Sequence, residues 1–183
     1  KIALAGISGD RVENVLQRIE STVFPDSVTA IYIAVGTNNI FRNTPSEIVS
    51  TILACAKSAR NKAPTANIKV QGILPRMFIG KDMQAKILQI NKSLRTYLSE
   101  DFVDPEPLFK QTDSSNTRSL FWRDGVHLSL RGSATLCKLV LSTLKGGRVS
   151  ASANLVSNLS FTSDQESWAV PFDKHQMVVL ADV

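Results

Sequence analysis

An α/β fold is predicted, a parallel sheet with helices on both faces making a three-layer sandwich. Two observations carry this expectation. The run Val28–Val35 (Val-Thr-Ala-Ile-Tyr-Ile-Ala-Val) is eight residues long, apolar and β-branched, which suits a strand covered on both faces. Across residues 1–147, short apolar runs of this kind alternate with segments of helical period. The order reads β-α-β-α-β-α-β-loop-α.

Lys1 to Ala5 reads as a short buried strand ending at Gly6. In Asp10 to Ser21, Val12, Val15, Leu16 and Ile19 fall at i, i+3, i+4 and i+7, one stripe of a helix, with Asp10 as N-cap and Glu13 as its reciprocal partner. After Val35, Thr44-Pro45-Ser46-Glu47 is a helix start. Thr44 caps, Pro45 takes the first helical position and Glu47 reaches back, ahead of the stripe Ile48, Ile52, Cys55, Ala56 and Ala59. Ile68–Leu74 reads as a strand closed by Pro75. Ile87, Ile90, Leu94 and Tyr97 mark a further helix, and Phe102-Val103 a last short strand. Ser129 caps a helix with Leu136, Leu139, Val140 and Leu144 on its apolar face, ending at Gly146-Gly147. Residues 148–183 read as a tail or linker, rich in Ser and Asn at first, with Met177–Leu180 as a short strand.

Composition narrows the function classes. Hydrophobic residues make up 43% and charged residues 20%, as in an ordinary globular domain. The net charge of +5 is dispersed with no basic run, so there is no strong nucleic-acid signal. No stretch of eighteen apolar residues stands as a membrane span. Cys55 and Cys137 fall on helix faces and read as core thiols. With two cysteines and no visible signal peptide, a cytoplasmic location is favoured. Lys1 is not a Met, so the sequence reads as starting inside a longer chain.

Three loops follow predicted strands, where functional groups gather on parallel sheets. Gly6-Ile7-Ser8-Gly9-Asp10 is either a plain strand-to-helix turn or one that aims the Gly9 amide into a site. Gly36-Thr37-Asn38-Asn39 is either an Asn-rich turn or one that offers the Asn38 amide to a developing oxyanion. In Asp124-Gly125-Val126-His127-Leu128-Ser129, a carboxylate separated by two residues from an imidazole can fix its tautomer and make it a general base. The bland alternative is a turn cap and a packed ring. The other histidine is His175, and no His or Cys stands at metal-ligand spacing from His127. No metal or other cofactor is expected.

On these residues the sequence resembles the SGNH hydrolase superfamily, the GDSL-like lipases and esterases, and most of all their platelet-activating-factor acetylhydrolase-like branch. Gly9 matches the family's Gly block, Asn38 its Gly-x-Asn block, and Asp124 with His127 its Asp-x-x-His block. Gly72-Ile73-Leu74-Pro75-Arg76 resembles the strand end after the third block, and the likeness runs from about Ile2 to Lys145. The resemblance implies a flavodoxin-like three-layer sandwich, the SGNH hydrolase fold. It also implies a serine nucleophile served by His127 and Asp124, oxyanion donors at Gly9 and Asn38, and a small ester substrate such as a lipid or an acetylated sugar, cleaved at an acetyl or other short acyl group.

The family's Gly-Asp-Ser block does not occur in this sequence, and Ser8 lies in the Gly loop. The strand leading to that block is central in the family's sheet. Omitting it would leave two unpaired edges inside the core, at about 1–3 kcal/mol for each orphaned group against a typical total stability of about 5–15 kcal/mol. Either an upstream strand fills the gap or the tail does, with Met177-Val178-Val179-Leu180-Ala181-Asp182 as the candidate. Two functional readings stay open. One is an esterase shown without its nucleophile segment, expected to be inactive or weak. The other is a non-catalytic SGNH-like binding or accessory module of a larger protein, some retroelement-encoded ones included.

Overall fold

The computed structural model describes residues 2–109, 118–144 and 177–181. Its elements are β1 (Ile2–Leu4), α1 (Val12–Ser21), β2 (Ala30–Ala34), α2 (Pro45–Lys62), β3 (Asn67–Gln71), α3 (Lys81–Leu98), β4 (Phe102–Val103), a one-turn α4 (Glu106–Phe109), α5 (Leu130–Leu144) and β5 (Met177–Ala181). The five strands form one sheet in the order β1-β5-β2-β3-β4. Every pairing is parallel.

The strand that is last in sequence therefore lies between the first two. Met177 is in register with both Ile2 and Ala30, and Ala181 with Ala34. This placement answers the edge problem raised by the sequence, because β5 supplies hydrogen-bond partners to both β1 and β2. If β5 is counted as the first strand, the order becomes 2-1-3-4-5, that of a doubly wound flavodoxin-like sheet.

α1, α2 and α3 pack side by side, and each connects one strand to the next across the sheet, which right-handed crossovers place on a single face. The strands alternate accordingly. Ile31, Ile33, Ile68 and Val70 point into the main core with Val12, Val15, Ile19, Ile48, Ile52, Ile87, Ile90 and Leu94. The intervening positions carry Tyr32, Lys69 and Gln71, all buried, with the Tyr32 hydroxyl bonded to Gln71 Oε1 at 2.8 Å. The second face is thus more polar than the apolar run at Val28–Val35 suggested. A smaller cluster of Phe109, Leu120 and Phe121 holds Leu136 of α5.

The Thr44 cap forms as expected: Thr44 N donates to Glu47 Oε2 at 2.7 Å and Glu47 N to Thr44 Oγ1 at 3.3 Å. The Asp10 cap does not form. α1 begins one residue later, with Arg11 at the N-cap and its N–H on Asn14 Oδ1 at 3.0 Å. Asp10 pairs instead with Arg18 at 2.6 Å, since a guanidinium two turns along offers a carboxylate more than a backbone N–H does. Tyr97 is also displaced from the stripe assigned to it. It is 69% exposed, and Leu98, four residues after Leu94, takes the buried place. The end of α5 at Gly146-Gly147 and the linker before β5 lie outside the described residues. No described helix is long and apolar enough to cross a membrane.

Candidate active site

The loops after β1 and β2 are fastened together by two adjacent asparagines. Asn38 Nδ2 donates to the Asp10 carbonyl at 2.9 Å, and Asn39 Oδ1 accepts the Val12 N–H at 3.0 Å. Asn39 is 1% exposed, and its Nδ2 also reaches the Glu13 carboxylate at 3.1 Å and Asn43 Oδ1 at 2.9 Å. This junction depends on Gly36, whose φ of 120° starts the short turn Thr37–Asn39. A Cβ there would stand 2.8 Å from Ile73 Cδ1 and push that side chain aside, and the positive φ is what favours glycine. Gly9 also has a left-handed φ, of 79°, but nothing lies within 4 Å of where its Cβ would be. Gly9 and Asn38 line one open cavity of about 340 Å³ together with Arg11 and Arg42. An amide carries two N–H groups, so Asn38 can hold the Asp10 carbonyl with one and offer the other.

Asp124 and His127 sit in a tight hairpin closed by the Phe121–Leu128 bridge and by the Trp122 N–H on the His127 carbonyl at 2.8 Å. Asp124 Oδ1 accepts the N–H groups of Val126 and His127 at 2.8 and 3.0 Å, and Oδ2 stands 2.7 Å from His127 Nδ1. These donors, the Val126 N–H foremost and then the His127 ring, lower the Asp124 carboxyl to a pKa of about 2. A carboxylate that is ionised can only accept. The proton therefore lies on Nδ1, and Nε2 is the nitrogen left for other work. The two side chains are 48% and 54% exposed, where an ion pair adds little stability, so holding the fold together is a poor account of this pair.

The hairpin leans on the chain leaving β3: Met77 N donates to the Gly125 carbonyl at 2.8 Å. One residue earlier, Arg76 donates to the Thr37 carbonyl at 3.3 Å and lies over the Phe41 ring at 5.1 Å. The segments holding Gly9, Asn38 and His127 are thus linked at the carboxyl end of the sheet. Gly9 and Asn38 share a cavity and Asp124 bonds His127, but neither Asp124 nor His127 is among the described lining residues of that cavity.

Other candidate nucleophiles have structural duties. Ser129 Oγ donates to the Ser119 carbonyl at 2.6 Å and accepts the Gly132 N–H at 3.1 Å, which makes it a helix cap. Ser8 is exposed, and among the described residues no hydrogen bond joins it to His127. Burial pushes the Cys55 thiol up to about 12 and raises Cys137, so neither is a thiolate at neutral pH. His175 lies outside the described residues. Among the described residues no group of three His, Cys, Asp or Glu side chains could hold a metal ion. The sequence reading missed Asn39, Arg11 and Arg42. The one signal for Asn39 was its place beside Asn38, and two separate arginines have no periodicity to betray them.

Comparison with known proteins bears on the family and the fold. The GDSL-like Lipase/Acylhydrolase family profile matches residues 1–135. The human platelet-activating factor acetylhydrolase IB subunit alpha1 is 29% identical over 144 residues, 76% of this chain and 62% of that protein. The human alpha2 subunit is 30% identical over 139 residues, 73% of this chain and 59% of that one. The chain thus spans about three fifths of the length of the curated relatives it matches. Among solved structures, a GDSL-like lipase from Bacteroides thetaiotaomicron superposes with a TM-score of 0.66 at 20% identity, covering 78% of this chain and 75% of that one. A carbohydrate esterase family 3 protein from Talaromyces cellulolyticus superposes with a TM-score of 0.59 at 18% identity, covering 85% and 72%. At such identities the structures speak for the fold, and the profile speaks for the family: the chain belongs to the GDSL-like lipase/acylhydrolase family, within the SGNH hydrolases and on their platelet-activating-factor acetylhydrolase-like side.

Proposed function

We propose that this chain carries the oxyanion-binding and proton-transfer groups of a serine ester hydrolase acting on acetyl or other short acyl groups. His127, oriented through Nδ1 by Asp124, is the general base at Nε2. The Gly9 N–H and the second Asn38 N–H hold the carbonyl oxygen as it gains charge. The hydroxyl that forms the acyl intermediate comes from a serine at the end of the central strand, a residue this sequence does not place there. The observation that carries the reading is the convergence on one cavity of Gly9 and Asn38, from the loops that follow the two strands flanking β5. A covalent acyl intermediate needs a nucleophile between the two donors, and the carboxyl end of the central strand is where a parallel sheet offers that place.

The experiment compares this 183-residue chain with a version extended upstream by a strand ending in Gly-Asp-Ser and shortened after residue 147 so that the added strand can take the place of β5, using nitrophenyl acetate and a fluorophosphonate that labels activated serines. The chain as it stands is expected to show little or no turnover above its His127→Ala variant, and the extended version to turn over and be labelled. Stoichiometric labelling of the unextended chain at Ser8 or Ser129 would overturn the assignment of the Gly loop. A second reading is a non-catalytic module. It is favoured by β5, which holds the central position and carries no serine of its own. Failure of the extended version to react would decide for it.

A further inference from the structure

Among the described residues, the loop that presents Gly9 is held at its two ends. Ile7, Ser8 and Gly9 are exposed, and nothing lies within 4 Å of where a Gly9 Cβ would be. The described hydrogen bond inside the loop runs from the Asp10 N–H to the Ile7 carbonyl at 3.2 Å. Both ends meet one side chain. Arg18, two turns into α1, donates from Nη1 to the Ala5 carbonyl at 2.6 Å, where the chain leaves β1. Its Nη2 stands 2.6 Å from Asp10 Oδ2, where the loop runs into α1. The two side chains are 26% and 13% exposed, so solvent screens this pair less than a surface pair. Asp10 in turn steadies the other donor, because its carbonyl accepts the Asn38 Nδ2 at 2.9 Å.

Resting on the hydrolase reading above, we propose that Arg18 is a positioning residue for the reaction. By gripping Ala5 and Asp10 together it sets the direction of the Gly9 N–H and, through the Asp10 carbonyl, the place of the Asn38 amide. Glycine populates both signs of φ with similar ease, so the left-handed turn at Gly9 has to be chosen by what holds the ends of the loop. A guanidinium can hold two acceptors at once because its N–H groups lie in a planar fork, whereas an ammonium is a point charge on a flexible stem. An oxyanion donor is worth most when it is already aimed, since it then costs no reorganisation as charge develops. Arg18 is not among the described lining residues of the cavity, so its effect passes through the two donors.

The test begins with the 183-residue chain. In Arg18→Gln the NMR order parameter of the Gly9 amide should fall from the rigid range, about 0.85, to below about 0.6, while those of β2 and α2 hold. Arg18→Lys keeps the charge without the fork and should recover little of that order. The second readout is turnover of nitrophenyl acetate by the extended and shortened version. Arg18→Gln should lower kcat at least about tenfold and leave KM within about twofold, because donors aimed at a developing oxyanion act in the transition state. Millimolar guanidinium should restore part of that kcat, since the Arg18 side chain is partly open to solvent. Should Arg18→Gln fail to fold, Asp10→Asn removes the other half of the ion pair, keeps the carbonyl that Asn38 needs, and carries the same readouts. An unchanged Gly9 order parameter overturns the proposal whatever the turnover. A loosened loop with unchanged kcat overturns it too, as does full recovery in Arg18→Lys, which would make the charge and not the fork the operative feature. An extended version that never turns over overturns the hydrolase reading instead, and the Gly9 amide still decides whether Arg18 sets the loop.

Discussion

Asn91 offers the sharpest test of how the site is held. It lies on α3 with 2% of its surface exposed and grips one backbone unit with both ends of its amide. Oδ1 accepts the Ile73 N–H at 2.8 Å, and Nδ2 donates to the Ile73 carbonyl at 2.8 Å. Ile73 follows β3 just before Arg76 and Met77, the residues that tie the loop after β2 to the Asp124–His127 hairpin. Asn91→Ala strands two buried backbone groups. At about 1–3 kcal/mol each, the loss is about 2–6 kcal/mol, a large share of a typical total of about 5–15 kcal/mol. With a urea slope of about 2 kcal/mol per molar, the midpoint should fall by about 1–3 M. Asn91→Asp sharpens the test by sign. It keeps an acceptor for the N–H but turns a lone pair toward the Ile73 carbonyl unless it is protonated. Burial and that carbonyl raise its folded pKa above the unfolded value. Its contribution is therefore intact below the unfolded pKa and is lost as pH rises through the folded one. A midpoint shift below about 0.3 M for Asn91→Ala, or an Asp variant that is no steadier in acid, would refute the argument.

Asp124 tests the electrostatics of the hairpin that holds His127. Its carboxyl should titrate near 2 by carbon-detected NMR, and the Nδ1–H tautomer of His127 should be lost in Asp124→Asn. Because the folded pKa is depressed, whatever stability this carboxylate contributes is present above its unfolded value near 3.8 and is lost as pH falls toward 2. A titration in the ordinary carboxylate range would mean that the Val126 and His127 N–H groups do not hold it. Val179 tests the sheet: it pairs with Leu4 on one side and Tyr32 on the other, so Val179→Pro removes a ladder donor from a central strand. A loss of about 3 kcal/mol or more in urea unfolding is expected, and an unchanged midpoint would mean that β5 is not between β1 and β2.

Features set by neighbours in sequence were legible without coordinates. The Thr44-Pro45-Ser46-Glu47 cap forms because all its partners lie within three residues, and the stripe on α2 from Ile48 to Ala59 is buried as its period demands. Asp10 misled because the competing group, Arg18, is eight residues away, beyond the reach of a cap motif but on the same side of the helix. Tyr97 misled because positions three and four along a helix are equally close to the core, and packing chose Leu98. Gly9, Asn38, Asp124 and His127 could be proposed from sequence because each follows a strand or sits in a compact motif. Arg11 and Arg42 belong to one cavity only through folding, and no spacing in the chain announces that. Asn39 was hidden in plain view: its side chain contacts residues 26 and 27 positions away and fastens the loops after β1 and β2 to each other.

The position of β5 also shapes how the protein is made. Ribosomes release chain from the amino end, at about 5–20 residues per second, and about 140 residues separate the end of β2 from the start of β5. For some seconds of each synthesis β1 and β2 are both outside the exit tunnel while the strand that must join them does not yet exist. The nascent sheet then presents two open ladders to its surroundings, the kind of edge on which other nascent chains pair and aggregate. Productive folding must wait for residues 177–181, so synthesis that stalls or stops before Met177 yields a polypeptide with the described helices and no closed sheet, a natural client for chaperones and proteases.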